Sequence, residues 1–97
     1  LIGVKMKYTL NDIYEKLEKI ITNKESRSNE IKEFQTLIWE NDLSFCNEVN
    51  ECLSDLAQDL DYYEKNDEIR KEDSSYYGET RLIHEIQSSL KVIKTHL

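Results

Sequence analysis

The sequence predicts an all-α fold, a small antiparallel four-helix bundle with a long acidic connection before the last helix. Three observations predict it. Apolar residues recur with helical period in four separate stretches. Proline is absent and glycine occurs only at Gly3 and Gly78, which leaves few turn formers for a sandwich or a barrel. At 97 residues and 38% hydrophobic, the chain suits one domain with one modest core.

Leu10, Ile13, Tyr14, Leu17, Ile20 and Ile21 share the first stripe. Thr9 is placed to cap it, and Asp12 sits favourably in its first turn. Polar "TNKESRSN" ends this helix. Ile31, Phe34, Leu37 and Ile38 form a second stripe, closed by Trp39, with Ser28 as the expected cap. "ENDLS" interrupts the period near Asn41 to Ser44. Phe45, Val49, Cys52, Leu53, Leu56, Ala57 and Leu60 then give the cleanest stripe, and Glu48, Glu51, Asp55 and Asp59 fall off it as an acidic outer face. The pattern decays after Tyr63. A last helix is marked by Leu82, Ile83, Ile86, Leu90, Ile93 and Leu97, starting near Gly78 or Ser75. The connection from about Lys65 to Tyr77 has Ile69 as its one aliphatic anchor, enough for one short helical turn. Connections of that length inside a small domain are usually functional or disordered. Residues 1–5 read as upstream or vector sequence with Met6 as the native start, and residues 6–97 as a single domain.

The formal charge is −7, and its placement matters more than its size. From Glu40 to Glu79 there are 13 acidic and 3 basic residues, a net of −10; the rest has 7 and 10, a net of +3. Such a field repels nucleic acid and anionic lipid and draws basic partners inward. The plainer reading of the same charge is solubility. Cys46 and Cys52 are six residues apart, about 240° around a helix, so they cannot pair without breaking it. Free core thiols in a reducing compartment are the expectation. No stretch approaches a membrane span and no signal peptide is visible, which points to the cytoplasm.

Motifs for chemistry fail on inspection. A calcium loop starting at Asp59 would need an oxygen ligand at Tyr63, glycine at Glu64 and glutamate at Arg70. "HEIQS" has Ser88 where a zinc-protease helix needs its second histidine, so His84 reads as a polar helix-face residue. Acid pairs such as Glu51 with Asp55 lack the Glu-x-x-His pattern of di-iron bundles. Serine and cysteine nucleophiles show no histidine partner, and two glycines build no phosphate loop. The expectation is a protein that is not an enzyme and carries no cofactor or metal.

What remains is an acidic surface bearing tyrosines in two adjacent pairs, Tyr62–Tyr63 and Tyr76–Tyr77. Tyrosine gives large contact area with few rotatable bonds and is enriched at binding hot spots, and carboxylates beside it can pair with a partner's lysines and arginines. One ring of each pair is expected to pack on the bundle and one to face outward. The carboxylates assigned to the surface are Asp55, Asp59, Asp61, Glu64, Asp67, Glu68 and Asp73. The assigned tyrosines are Tyr63, Tyr76 and Tyr77. Arg70 is expected to brace the connection by pairing with a neighbouring acid.

Residues 53–90, "LSDLAQDLDYYEKNDEIRKEDSSYYGETRLIHEIQSSL", resemble the C-terminal signature of the colicin D-type immunity proteins, which also occur in contact-dependent growth inhibition systems. The matching elements are Leu60 to Tyr63, the acidic connection with Arg70, Tyr76 to Gly78, and the leucine-rich last helix from Leu82. The first two helices agree only in pattern and length. The resemblance implies a monomeric inhibitor that binds a cognate toxic nuclease domain one to one and covers its basic active-site cleft, the toxin commonly being a tRNA-cleaving ribonuclease. It implies no direct contact with nucleic acid or membrane. An alternative is a bundle giving immunity to a membrane-active bacteriocin, for which the net +3 outside the acidic segment is the support. A third is a metal-binding bundle.

Overall fold

The computed structural model describes residues 8–97; the expected boundary at Met6 lies outside them. Four long helices, α1 (Leu10–Thr22), α2 (Arg27–Glu40), α3 (Asn47–Asp59) and α5 (Glu79–Lys94), carry the core. A 3-10 turn, Leu60–Tyr62, and a one-turn helix, α4 (Asp67–Arg70), lie between α3 and α5. Helices α1, α2, α3 and α5 close a ring in which each packs on two neighbours. This is the bundle that four amphipathic stripes with short connections require.

Helix α1 begins where expected. The Thr9 hydroxyl accepts from the Asp12 N–H at 3.1 Å, and the Asp12 carboxylate accepts from the Thr9 N–H at 2.9 Å, a complete capping box. These backbone and side-chain bonds to Thr9 hold the Asp12 carboxyl below its usual range. The start of α2 differs from expectation. Its cap residue is Ser26, so Ser28 lies inside the helix. The reason is Arg27, which the helix must present inward at its first turn.

Arg27 is only 4% exposed. Its Nε and Nη2 donate to the carbonyls of Ile20 and Ile21 at 2.8 and 2.9 Å, and Nη1 bonds Glu79 Oε2 at 2.8 Å. One guanidinium thus satisfies last-turn carbonyls of α1 and ties α2 to the first residue of α5. Gln35, also buried, donates from Nε2 to the Ala57 carbonyl at 2.9 Å and to Asp61 Oδ1 at 2.7 Å, joining α2 to the end of α3.

The core comprises Ile13, Leu17 and Ile20 of α1, Phe34 and its stripe on α2, Val49, Leu53 and Leu56 of α3, and Leu82, Ile86 and Ile93 of α5. Three apolar expectations are corrected. Trp39 is 55% exposed and does not close the α2 stripe, because the step from Ile38 turns it about 100° away from the core. Leu97 lies beyond the end of α5 and is exposed. The cysteines are free but not core residues: Cys46 is exposed at the cap of α3, and Cys52 is half-buried. The α2–α3 break falls as expected, and Asn50 pins it by donating to the carbonyls of Leu43 and Phe45 at 3.3 and 3.0 Å.

Candidate functional site

The segment after α3 is an ordered loop with closed ends. Tyr63 and Tyr77 form an isolated parallel bridge. The Tyr77 N–H donates to the Tyr62 carbonyl at 3.0 Å, and the Glu64 N–H donates to the Tyr77 carbonyl at 2.9 Å. Inside the loop, Asn66 caps α4 by accepting from the N–H groups of Glu68 and Ile69 at 2.9 and 3.3 Å. Asp73 holds the following turn by accepting from the Ser75 N–H at 2.8 Å. Arg70 braces the whole, as expected: Nη1 donates to the Glu64 carbonyl at 2.6 Å, and the side chain also pairs with Asp67. Its guanidinium lies so close to Gly78 that an added Cβ would meet Cζ at 3.2 Å. A loop of this size with neighbouring ends and internal packing is an Ω-loop.

Each tyrosine pair divides as expected, one ring in and one out, though not always the ring assigned. Tyr77 is 5% exposed, a correction to its place on the binding surface. Its hydroxyl lies 2.9 Å from both the Asp59 carbonyl and Asp59 Oδ2, and donates to this pair. Burial, then the hydrogen bond to Asp59, pushes its hydroxyl well above the ordinary tyrosine range. The Arg81 guanidinium covers the ring at 4.8 Å from its centroid. Tyr63 packs against the core, its ring centroid 6.4 Å from that of Tyr77. The outward rings are Tyr62, 45% exposed, and Tyr76, 36% exposed.

The carboxylates also divide. Asp55, Asp67, Glu68 and Asp73 are exposed. Asp59 is half-buried and engaged by Tyr77, with Arg81 3.9 Å away. Asp61 is exposed but accepts from Gln35, and half-buried Glu64 accepts from the Asn66 N–H at 3.1 Å. These three hold the fold around the loop. Asp67 and Glu68 are satisfied within α4 and its end, by Arg70 and by Lys71. Glu51 and Asp55 have no cation within ion-pair distance among the described residues. Glu51, Asp55 and Tyr62 fall on one outer stripe of α3 and its 3-10 extension, and they continue toward the loop. The open acidic surface is therefore the α3 face plus the loop crest, with Tyr62 rather than Tyr63 beside Tyr76 as its aromatics.

A second cluster lies at the opposite pole of the bundle. Cys46 Sγ is 3.7 Å from His96 Nδ1, and His96 Nε2 is 3.4 Å from Glu48 Oε2. The expectation that no cysteine has a histidine partner is thereby corrected; fifty residues of sequence hide the contact. His84 is an exposed helix-face residue, as expected. Among the described residues no group of His, Cys, Asp and Glu is arranged to hold a metal ion, and no helix is long and apolar enough to cross a membrane.

No family model, curated protein or solved structure matches the chain.

Proposed function

We propose that this chain is an inhibitory binding module, a cytoplasmic immunity protein that neutralises a nuclease toxin by covering its basic cleft. The observation that carries the reading is the acidic face of α3, running through Asp55 to Tyr62 and on to the crest of an ordered loop. Glu51 and Asp55, with no cation within ion-pair distance among the described residues, are left to pair with lysines and arginines on a partner. Tyr62 and Tyr76 supply apolar area between them at little entropic cost. The loop is pre-organised by its bridge and by Arg70, which lowers the ordering cost of association. An inhibitor must bind before its toxin acts, and charge complementarity accelerates encounter. The resemblance of residues 53–90 to colicin D-type immunity proteins points the same way and suggests a tRNA-cleaving ribonuclease as target.

The gene immediately upstream is expected to encode a large protein ending in a basic nuclease domain. That domain, purified and mixed with this chain, should elute as a 1:1 complex and lose its tRNA cleavage. Glu51→Lys with Asp55→Lys should weaken the complex by about a hundredfold, since charge reversal adds repulsion to the lost pairs. Helical circular dichroism should stay unchanged. Asp59 and Asp61 are poor test positions because they hold Tyr77 and Gln35. Undiminished binding by the double variant rejects this surface, and an upstream domain that neither binds nor is inhibited rejects the function.

A further inference from the structure

Cys46 lies outside both the core and the acidic face. It is the N-cap residue of α3, exposed, and its side chain makes no capping bond. The sulfur contacts His96 Nδ1 at 3.7 Å, and the other ring nitrogen is 3.4 Å from Glu48 Oε2. A carboxylate oxygen at this distance from Nε2 favours the tautomer with its hydrogen on Nε2. The Nδ1 lone pair is then turned toward the thiol. Nucleophile, base and orienting acid stand in order, the arrangement that activates a thiol. The histidine base therefore carries the case. Cys52 sits half-buried within α3 and has no histidine contact among the described residues.

We propose that Cys46 is a modification site, a reactive thiol that undergoes S-thiolation by small-molecule disulfides. His96 Nδ1 takes the Sγ proton, and the thiolate attacks one sulfur of the disulfide RSSR. A new S–S bond forms on Cys46 as that of the reagent breaks. The departing RS⁻ carries away the bonding electron pair and takes up the proton from His96, so Cys46 is oxidised and the departing half is reduced. Helix α3 spans about 20 Å between this pole and the acidic loop, so the chemistry does not depend on the proposed inhibitory role.

The test treats the purified chain with glutathione disulfide at neutral pH and locates the adduct by peptide mass spectrometry. Cys46 should be modified before Cys52. His96→Gln should slow the initial rate at Cys46 by about tenfold or more, with unchanged helical circular dichroism. Glu48→Gln, which keeps an oxygen acceptor within reach of Nε2, should retain most of the rate, whereas Glu48→Ala should lower it. Equal rates in wild type and His96→Gln would mean a merely exposed thiol and overturn the proposal. Modification of Cys52 first would also overturn it.

Discussion

A buried arginine is expensive unless its nitrogens find acceptors, and each of the three nitrogens of Arg27 has one, in two carbonyls and one carboxylate. Arg27→Met keeps the apolar stem but strips hydrogen bonds from the end of α1 and leaves Glu79 with the exposed Lys24, 3.5 Å away, in place of a buried guanidinium. The expected loss is about 3 kcal/mol, toward the low end for buried pairs because Glu79 remains half in water. Thermal unfolding followed by circular dichroism should show a fall of more than 10 °C, taking about 4–8 °C per kcal/mol for a domain of this size. Arg27→Lys should not restore it, since a single ammonium cannot reproduce the planar fork. Nothing in the sequence marks Arg27, because its acceptors lie six, seven and 52 positions away and arginine ordinarily reads as surface. The in-or-out choice at Tyr62 and Tyr63 was legible by contrast. Steps of four and three from Leu56 through Leu60 lead to Tyr63, which places it on the apolar stripe and turns Tyr62 outward.

At the scale of the element, the loop between α3 and α5 shows where hydropathy stops being informative. Its loss of period correctly marks a segment the core does not use, and Ile69 does sit in a single helical turn. Its order is invisible to pattern reading. Two main-chain bonds at the Tyr63–Tyr77 bridge, an Asn66 cap and one arginine hold it, and none of these leaves a periodic trace. Arg70 is the only one of these ties that crosses the loop by a side chain, reaching the Glu64 carbonyl beneath Gly78. Arg70→Met should therefore loosen the loop without unfolding the bundle. Amide hydrogen exchange at Glu64 and Tyr77 should quicken by about tenfold, the equivalent of losing one charge-assisted hydrogen bond, while core amides of α1 and α5 keep their protection. Equal acceleration everywhere would show the loop to be part of the global folding unit. If the loop's order serves binding, the same variant should slow association with the nuclease domain more than a neutral substitution elsewhere on the surface.

The whole molecule carries its ionic bracing in a way that sets opposite limits on stability at low and high pH. On the acid side, the hydrogen bond from Arg27 holds the Glu79 carboxyl below its usual 4.5, and Lys16 does the same for Glu33 by hydrogen bond and charge. A carboxyl depressed in the fold binds its proton more readily when unfolded. Its contribution is present above about pH 4.5 and lost as pH falls through the folded value. On the alkaline side Tyr77 works in reverse. Burial and the hydrogen bond to Asp59 raise its hydroxyl above the ordinary 10, so the fold holds that proton more tightly than the open chain does. Its contribution is complete below pH 10 and is lost as pH rises beyond it. Lys16 adds to this limit: burial pulls it down, but its pairs with Glu33 and Glu30 outweigh that and raise it, so its share also fades above 10.5. The melting temperature should hold level from about pH 5 to 9 and fall on both sides. Glu79→Gln should lower the plateau and flatten the acid limb, leaving the alkaline limb in place. Tyr77→Phe should cost about 1 kcal/mol at neutral pH, flatten the alkaline limb, and remove one tyrosine equivalent from the absorbance change that accompanies alkaline unfolding. An alkaline limb unchanged by Tyr77→Phe would mean that the buried hydroxyl does not limit the fold, and that Lys16 sets the high-pH boundary alone.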